Sequence, residues 1–134
     1  MYIFENKIRV RYSDVDKMGY VYYANYGKYY EVGRVEAMRN MGVSYKYMEE
    51  NGVIMPALSM NIKYVKPAFY DDIINIKTII DELPRNKMKF NYKLYDENEN
   101  LINRGYTIHA FVSMKDNKII QIPEWFLKPL KKYF

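Results

Sequence analysis

The chain has 134 residues, one domain's worth of length, and its 49% apolar and 28% charged residues exclude disordered and fibrous classes. It has no cysteine, which rules out disulfides, thiol catalysis, iron–sulfur clusters and Cys-ligated zinc and fits a reducing cytoplasm. Twenty-one Lys and Arg against 16 Asp and Glu leave a formal charge of +5, a modest field that favours phosphorylated or otherwise anionic ligands.

The even positions from Tyr2 to Tyr12 are mostly apolar and the odd ones from Glu5 are charged, the period-two pattern of a half-buried strand. After Gly19 the period changes: Tyr22, Tyr26, Tyr29, Gly33 and Ala37 recur at helical spacing, so a helix of about four turns is expected, stopped at Gly42. Gly27 and Gly33 are read as positions that let this helix lie close to a sheet.

The rest reads as four or five strands. Leu58, Met60, Ile62 and Tyr64 share one face; Ile74, Ile76 and Ile80 another; Met88, Phe90, Tyr92 and Leu94 alternate with polar residues. Ile102, Tyr106, Ile108, Ala110, Val112 and Met114 mark a long strand, and Ile119–Ile122 a short one. Turn signals fall at Tyr70–Asp72, Leu83–Asn86, Asp96–Asn100 and Lys115–Asn117, so neighbouring strands are expected to be antiparallel. The prediction is one α+β domain over 1–134, a curled antiparallel sheet of five or six strands wrapped round one central helix. A single helix covers only one face, and sixteen tyrosines need hydroxyl partners or a wet interface, so a homodimer or homotetramer is expected. The longest uncharged run, Asn51–Ile62, is too short and contains a proline, so no membrane span is expected. The chain is charged by its fifth residue, so no secretion signal is expected either.

Asp14 and Asp16 lie between the first strand and the helix, where a carboxylate can sit beside the helix's unpaired backbone N–H groups. A thioester carbonyl aimed at such groups is polarised, and a neighbouring carboxylate can attack its carbon or deprotonate a water. Aspartates in such loops also cap helices or form Asx turns, and spacing leaves both readings open.

The segment from Arg11 to Glu36 carries more. Arg11-Tyr12, Asp14-Val15-Asp16, Gly19, the aromatic Val21–Tyr26 stretch, and Glu31, Arg34 and Glu36 resemble the 4-hydroxybenzoyl-CoA thioesterase-like family of hotdog-fold acyl-CoA thioesterases. The resemblance extends to Ile62–Ala68 with Asp71-Asp72, and to Ile122-Pro123. It implies a hotdog fold and hydrolysis of an acyl-CoA thioester without metal or other cofactor. It also implies Asp16 as the catalytic carboxylate, the N–H of Tyr23 as oxyanion donor, and Asp14 as a structural neighbour. Many relatives have histidine where this chain has Tyr23; a backbone donor survives that change.

The resemblance further implies that the Pro84–Lys87 turn, through Arg85 and Lys87, grips the CoA phosphates, for which forked guanidinium and point-charge ammonium are suited. Ser59 and Asn61 are candidates to hold a water at a subunit interface, with sites formed there. Glu31 and Arg34 read as an intrahelical pair, and His109, the one histidine, as structural. An acyl carrier protein as substrate carrier, an acyl-CoA-binding protein without catalysis, and a nucleic-acid-binding module are the alternatives. The last is set aside because the lysines are spread over every strand with no concentrated stripe.

Overall fold

The computed structural model describes residues 1–134 and gives the period-two segment as strand β1, Tyr2–Arg9, with Tyr2 buried. The strand stops short of Tyr12 because the Asp14 carboxylate accepts the Arg11 N–H at 3.2 Å and folds Tyr12–Asp14 into a 3₁₀ turn. A second 3₁₀ turn, Tyr23–Asn25, leads into helix α1, Tyr26–Asn40, which starts four residues later than its tyrosine spacing suggested. Helix α1 buries Tyr26, Tyr29, Tyr30, Gly33, Ala37 and Met38. A Cβ at Gly33 would lie 2.6 Å from both Ile76 Cγ2 and Thr78 Oγ1, so the expected close approach to the sheet is real there. At Gly27 a Cβ would meet only the flexible Met60 side chain, at an ordinary 3.5 Å from Sδ and 3.6 Å from Cε, so no glycine is required there. Gly42 has φ +83°, the left-handed stop that glycine adopts without steric cost.

Helix α2, Tyr45–Glu50, was not legible from periodicity because six residues carry too little of it; Ser44 caps it, with its Oγ accepting the Tyr47 N–H at 3.0 Å. The strands that follow are β2 (Val53–Ile54), β3 (Ala57–Tyr64), β4 (Ile73–Ile80), β5 (Lys87–Tyr95), β6 (Leu101–Ser113) and β7 (Ile119–Ile120). Helix α3, Glu124–Lys131, also unforeseen, closes the chain with Phe126 and Leu130 fully buried. No helix is long and apolar enough to cross a membrane.

The sheet runs β1-β4-β5-β6, with β2 and β3 on the far side of β6 and β7 along its end, all antiparallel. It is open and curls round α1, the expected hotdog arrangement. It has seven strands instead of five or six because β2, two residues long, leaves no period to read, while β7 falls within the expected short strand at Ile119–Ile122.

Strand β6 reverses the expected facing. Its inward face carries Asn103, Thr107, His109 and Phe111, all buried, while Tyr106 and Ile108 turn partly outward. Phenol hydroxyls make this polar interior tolerable. Tyr30 donates to Asn103 Oδ1 at 2.7 Å and stacks on Tyr92 at 4.3 Å, and the Tyr92 hydroxyl pairs with Thr107 Oγ1 at 2.6 Å. Strand β3 is an edge: Leu58, Met60 and Tyr64 are 50%, 55% and 50% exposed.

Candidate active site

Two bridges shape the loop between β1 and α1, Val15 with Val21 and Tyr20 with Phe69. The Asp16 N–H donates to Tyr20 O at 2.8 Å and the Gly19 N–H to Asp16 O at 3.0 Å, a turn that requires φ +79° at Gly19. Asp16 Oδ1 accepts the N–H groups of Met18 at 2.8 Å and Tyr20 at 3.2 Å. The Asx-turn reading of this residue is therefore correct for one oxygen. The other, Oδ2, has no hydrogen-bond partner in the protein.

Asp16 lines a cavity of about 370 Å³ with Tyr22, Tyr23, Tyr26, Tyr64 and Lys66. The Tyr22 N–H is taken by Asp14 O at 2.9 Å and the Asn25 N–H by Tyr22 O at 2.8 Å, whereas the N–H groups of Tyr23 and Ala24 meet no protein acceptor. Free donors are what the first turn of a helical segment leaves over. The Tyr64 hydroxyl donates to Tyr23 O at 3.3 Å, and Tyr23 packs against Tyr22 and Tyr64. Asp16 and Tyr23, with one carboxylate oxygen and one amide donor unengaged, thus line one tyrosine-rich cavity.

Asp14 is buried behind this loop. Its carboxylate accepts the Tyr29 hydroxyl at 2.9 Å, the Arg11 N–H and the Lys28 ammonium at 3.2 Å, while its carbonyl also holds Asn25 Nδ2 at 2.8 Å. Burial pushes its pKa up, but the Tyr29, Arg11 and Lys28 donors outweigh burial and hold the carboxyl below its usual range. Asp14 ties strand end to helix and is spent on structure. Lys66 is ion-paired with Asp96 at 2.8 Å and, with the loop amides, draws that carboxyl down to about 2.

The other residues singled out in the sequence do not join this cavity within one protomer. Met60, Ile62 and Tyr64 turn toward α1, so Ser59 and Asn61, opposite Ile108 and Tyr106, face the outside of the sheet. Tyr2 pairs with Ile80 and Arg9 with Ile73, which puts the turn with Arg85 and Lys87 at the end of β4 away from the Asp16 loop. Seven strand steps separate those ends, about 23 Å. Arg34 does not pair with Glu31 either: it donates to the Tyr45 hydroxyl at 2.6 Å and the Tyr92 hydroxyl at 3.1 Å. His109 lies on the buried face of β6, between Thr107 Oγ1 at 2.9 Å and Met55 O at 3.1 Å. Burial, and then the Arg34 charge, depress its pKa to about 4. Tyr64 was missed as a lining residue; only the tertiary return of β3 toward α1 places it there.

Residues 10–130 match the model of the family described as the thioesterase-like superfamily. The chain belongs to this superfamily. With membership comes the reaction class, thioester hydrolysis. YneP of Bacillus subtilis is 33% identical over 129 residues, covering 93% of this thioesterase-superfamily chain and 94% of that protein. The acyl-CoA thioester hydrolase YbgC of Escherichia coli O157:H7 is 26% identical over 130 residues, 97% of each chain. Among solved structures, a DHNA-CoA thioesterase from Staphylococcus aureus superposes with a TM-score of 0.91 at 29% identity, covering 99% of this chain and 91% of that one. A 4-hydroxybenzoyl-CoA thioesterase complexed with 4-hydroxybenzoyl-CoA has the same hotdog fold, with a TM-score of 0.83 at 23% identity, covering 95% and 97%.

Proposed function

We propose that this superfamily member hydrolyses an acyl-CoA thioester to a carboxylic acid and CoA, with Asp16 as the catalytic carboxylate and the Tyr23 N–H as the main oxyanion donor. One observation carries this assignment: the unpartnered Asp16 Oδ2 and the unaccepted Tyr23 N–H belong to residues around a single cavity. The relatives whose names specify acyl-CoA substrates support the carrier.

In the proposed reaction the thioester oxygen sits on the Tyr23 N–H, which stabilises the charge it gains as the carbon becomes tetrahedral. Asp16 Oδ2 either attacks that carbon or removes a proton from an attacking water; in both routes the C–S bond breaks and the CoA sulfur leaves as thiolate and takes up a proton, and in the first a water then hydrolyses the acyl–Asp16 anhydride to the carboxylic acid and the free carboxylate. The Met18 and Tyr20 amides on Oδ1 fix the carboxylate's rotamer without consuming the reactive oxygen.

The proposal includes a second copy of the chain. The uncovered β3 edge, with half-exposed Leu58, Met60 and Tyr64, supports it. Arg85 and Lys87 reach CoA phosphates only from such a copy. Ser59 and Asn61 are left out, since they face away from the cavity.

The test is thiol release from acyl-CoA thioesters of varied acyl group, wild type against Asp16→Asn. An asparagine oxygen keeps the Met18 and Tyr20 hydrogen bonds, so folding is retained while kcat falls by about 10²–10⁴. Full turnover by Asp16→Asn on the best substrate would overturn the assignment.

A further inference from the structure

Strand alternation sorts the charges of this chain between the two faces of its sheet. On the outer face Glu5 stands opposite Lys77, Lys77 opposite Lys93, Lys93 opposite Arg104, and Arg104 opposite Lys63. Four cations therefore lie side by side on four adjacent strands, about 5 Å from one to the next. None of them is in an ion pair; the pairs of the protein are Arg9–Asp71, Lys28–Asp14, Arg39–Glu36, Lys66–Asp96 and Lys131–Glu124. Lys87 and Lys89 follow on the same face of β5. The lysines that looked dispersed along the sequence are thus gathered by the period of two into one basic field. Like charges directly opposite each other destabilise a sheet, and an anion laid along the row removes that repulsion.

The groups between the cations are polar or aromatic. Tyr106 lies between Asn91 and Asn61, and the Lys89 ammonium sits 4.6 Å from the Tyr106 ring centroid. Amides, a ring and flanking cations are the donors, acceptors and stacking surface that a nucleotide strand uses. We propose that the outer face of β5, β6 and β3 binds single-stranded nucleic acid, chiefly through its phosphates. A broad anionic plane such as a bilayer fits less well. Glu5, Asp96, Glu97 and Glu99 gather with Lys7 and Lys77 around a concavity on the β1–β4 side of this face and would be pressed against it. A narrow strand following β5, β6 and β3 avoids them. A protein partner needs a buried apolar anchor, and Ile108, between Lys89 and Ser59, is already half-buried. A second copy would set this charge against itself. The face lies across the sheet from α1 and the Asp16 cavity, and of its cations only Lys87 is shared with the CoA phosphate contacts proposed above.

The test is fluorescence anisotropy of a labelled single-stranded RNA of about 20 nucleotides, titrated with the full chain across a salt series. Contacts from Lys63, Lys87, Lys89, Lys93 and Arg104 give a log–log salt slope near −3.5, about a hundredfold weakening between 50 and 200 mM salt. The double variant Lys93→Glu with Arg104→Glu is expected to lose at least tenfold in affinity and bring the slope to about −2. Lys46→Glu with Lys128→Glu, on α2 and α3, makes the same change in net charge and is expected to stay within about twofold. Far-UV circular dichroism confirms folding, and Lys89→Gln with Lys93→Gln replaces the first double variant if that one unfolds. No anisotropy change at 50 mM salt, equal losses in both double variants, or tighter binding of phosphatidylglycerol vesicles or polyglutamate than of RNA would each overturn the proposal.

Discussion

Replacing Asp14 separates the two aspartates of the loop. Asp14→Asn keeps the shape of a side chain that is nearly inaccessible and places a carbonyl oxygen where Oδ2 accepts the Tyr29 hydroxyl at 2.9 Å and the Arg11 N–H at 3.2 Å. Both bonds survive but fall from charge-assisted to neutral, a loss of about 1 kcal/mol each. Burying a neutral amide in place of a carboxylate returns part of that, and the Lys28 pair, with the lysine 60% exposed, adds only a few tenths of a kcal/mol. The expected net loss is about 1–2 kcal/mol. Asp14→Ala leaves the buried Tyr29 hydroxyl and the Arg11 N–H without an acceptor and costs about 3–4 kcal/mol. Urea unfolding followed by Trp125 fluorescence measures both. The sign with pH follows from the lowered pKa of Asp14: its stabilisation is complete above the ordinary carboxylate range and is lost as pH falls through the folded-state value. The gap between wild type and Asp14→Asn therefore holds at neutral pH and closes below about pH 4. Because the Asp14 backbone carbonyl still holds Tyr22 and Asn25, thiol release by the folded variant stays close to wild type. Abolished turnover at unchanged stability would refute the reasoning and move the catalytic role from Asp16 to Asp14.

Gly33→Ala gains about 1 kcal/mol of helix propensity but forces a methyl to 2.6 Å from Ile76 Cγ2 and Thr78 Oγ1, so a net destabilisation of about 1–2 kcal/mol is expected in urea unfolding. His109 has a folded pKa near 4, below its unfolded value, so its contribution is complete above about pH 6.5 and falls as the pH approaches 4. At pH 4.5 this amounts to about 2–3 kcal/mol, and a His109→Gln variant should show a correspondingly flatter loss of urea stability between pH 7 and 4.5.

Local order in this protein is written in short periods. The alternation in Tyr2–Arg9 and in Met88–Leu94 is enough to define β1 and β5, because one wet and one dry face admit only one register. The tyrosine spacing and Gly42 define most of α1, and the Arg11–Glu36 pattern points to Asp16 and Tyr23, which the fold brings to one cavity. What depends on partners far along the chain was hidden. The inward facing of Asn103, Thr107 and His109 contradicts their polarity and holds only because Tyr30, Tyr92 and Met55 supply hydrogen-bond partners from other elements. Strand β2 and the short helices α2 and α3 draw their stability from packing and carry too few residues to show a period. Strand register alone moved Arg85 and Lys87 to the far end of the sheet and aligned Lys77, Lys93, Arg104 and Lys63 into one row, because adjacency across a sheet is set by pairing and not by distance along the chain.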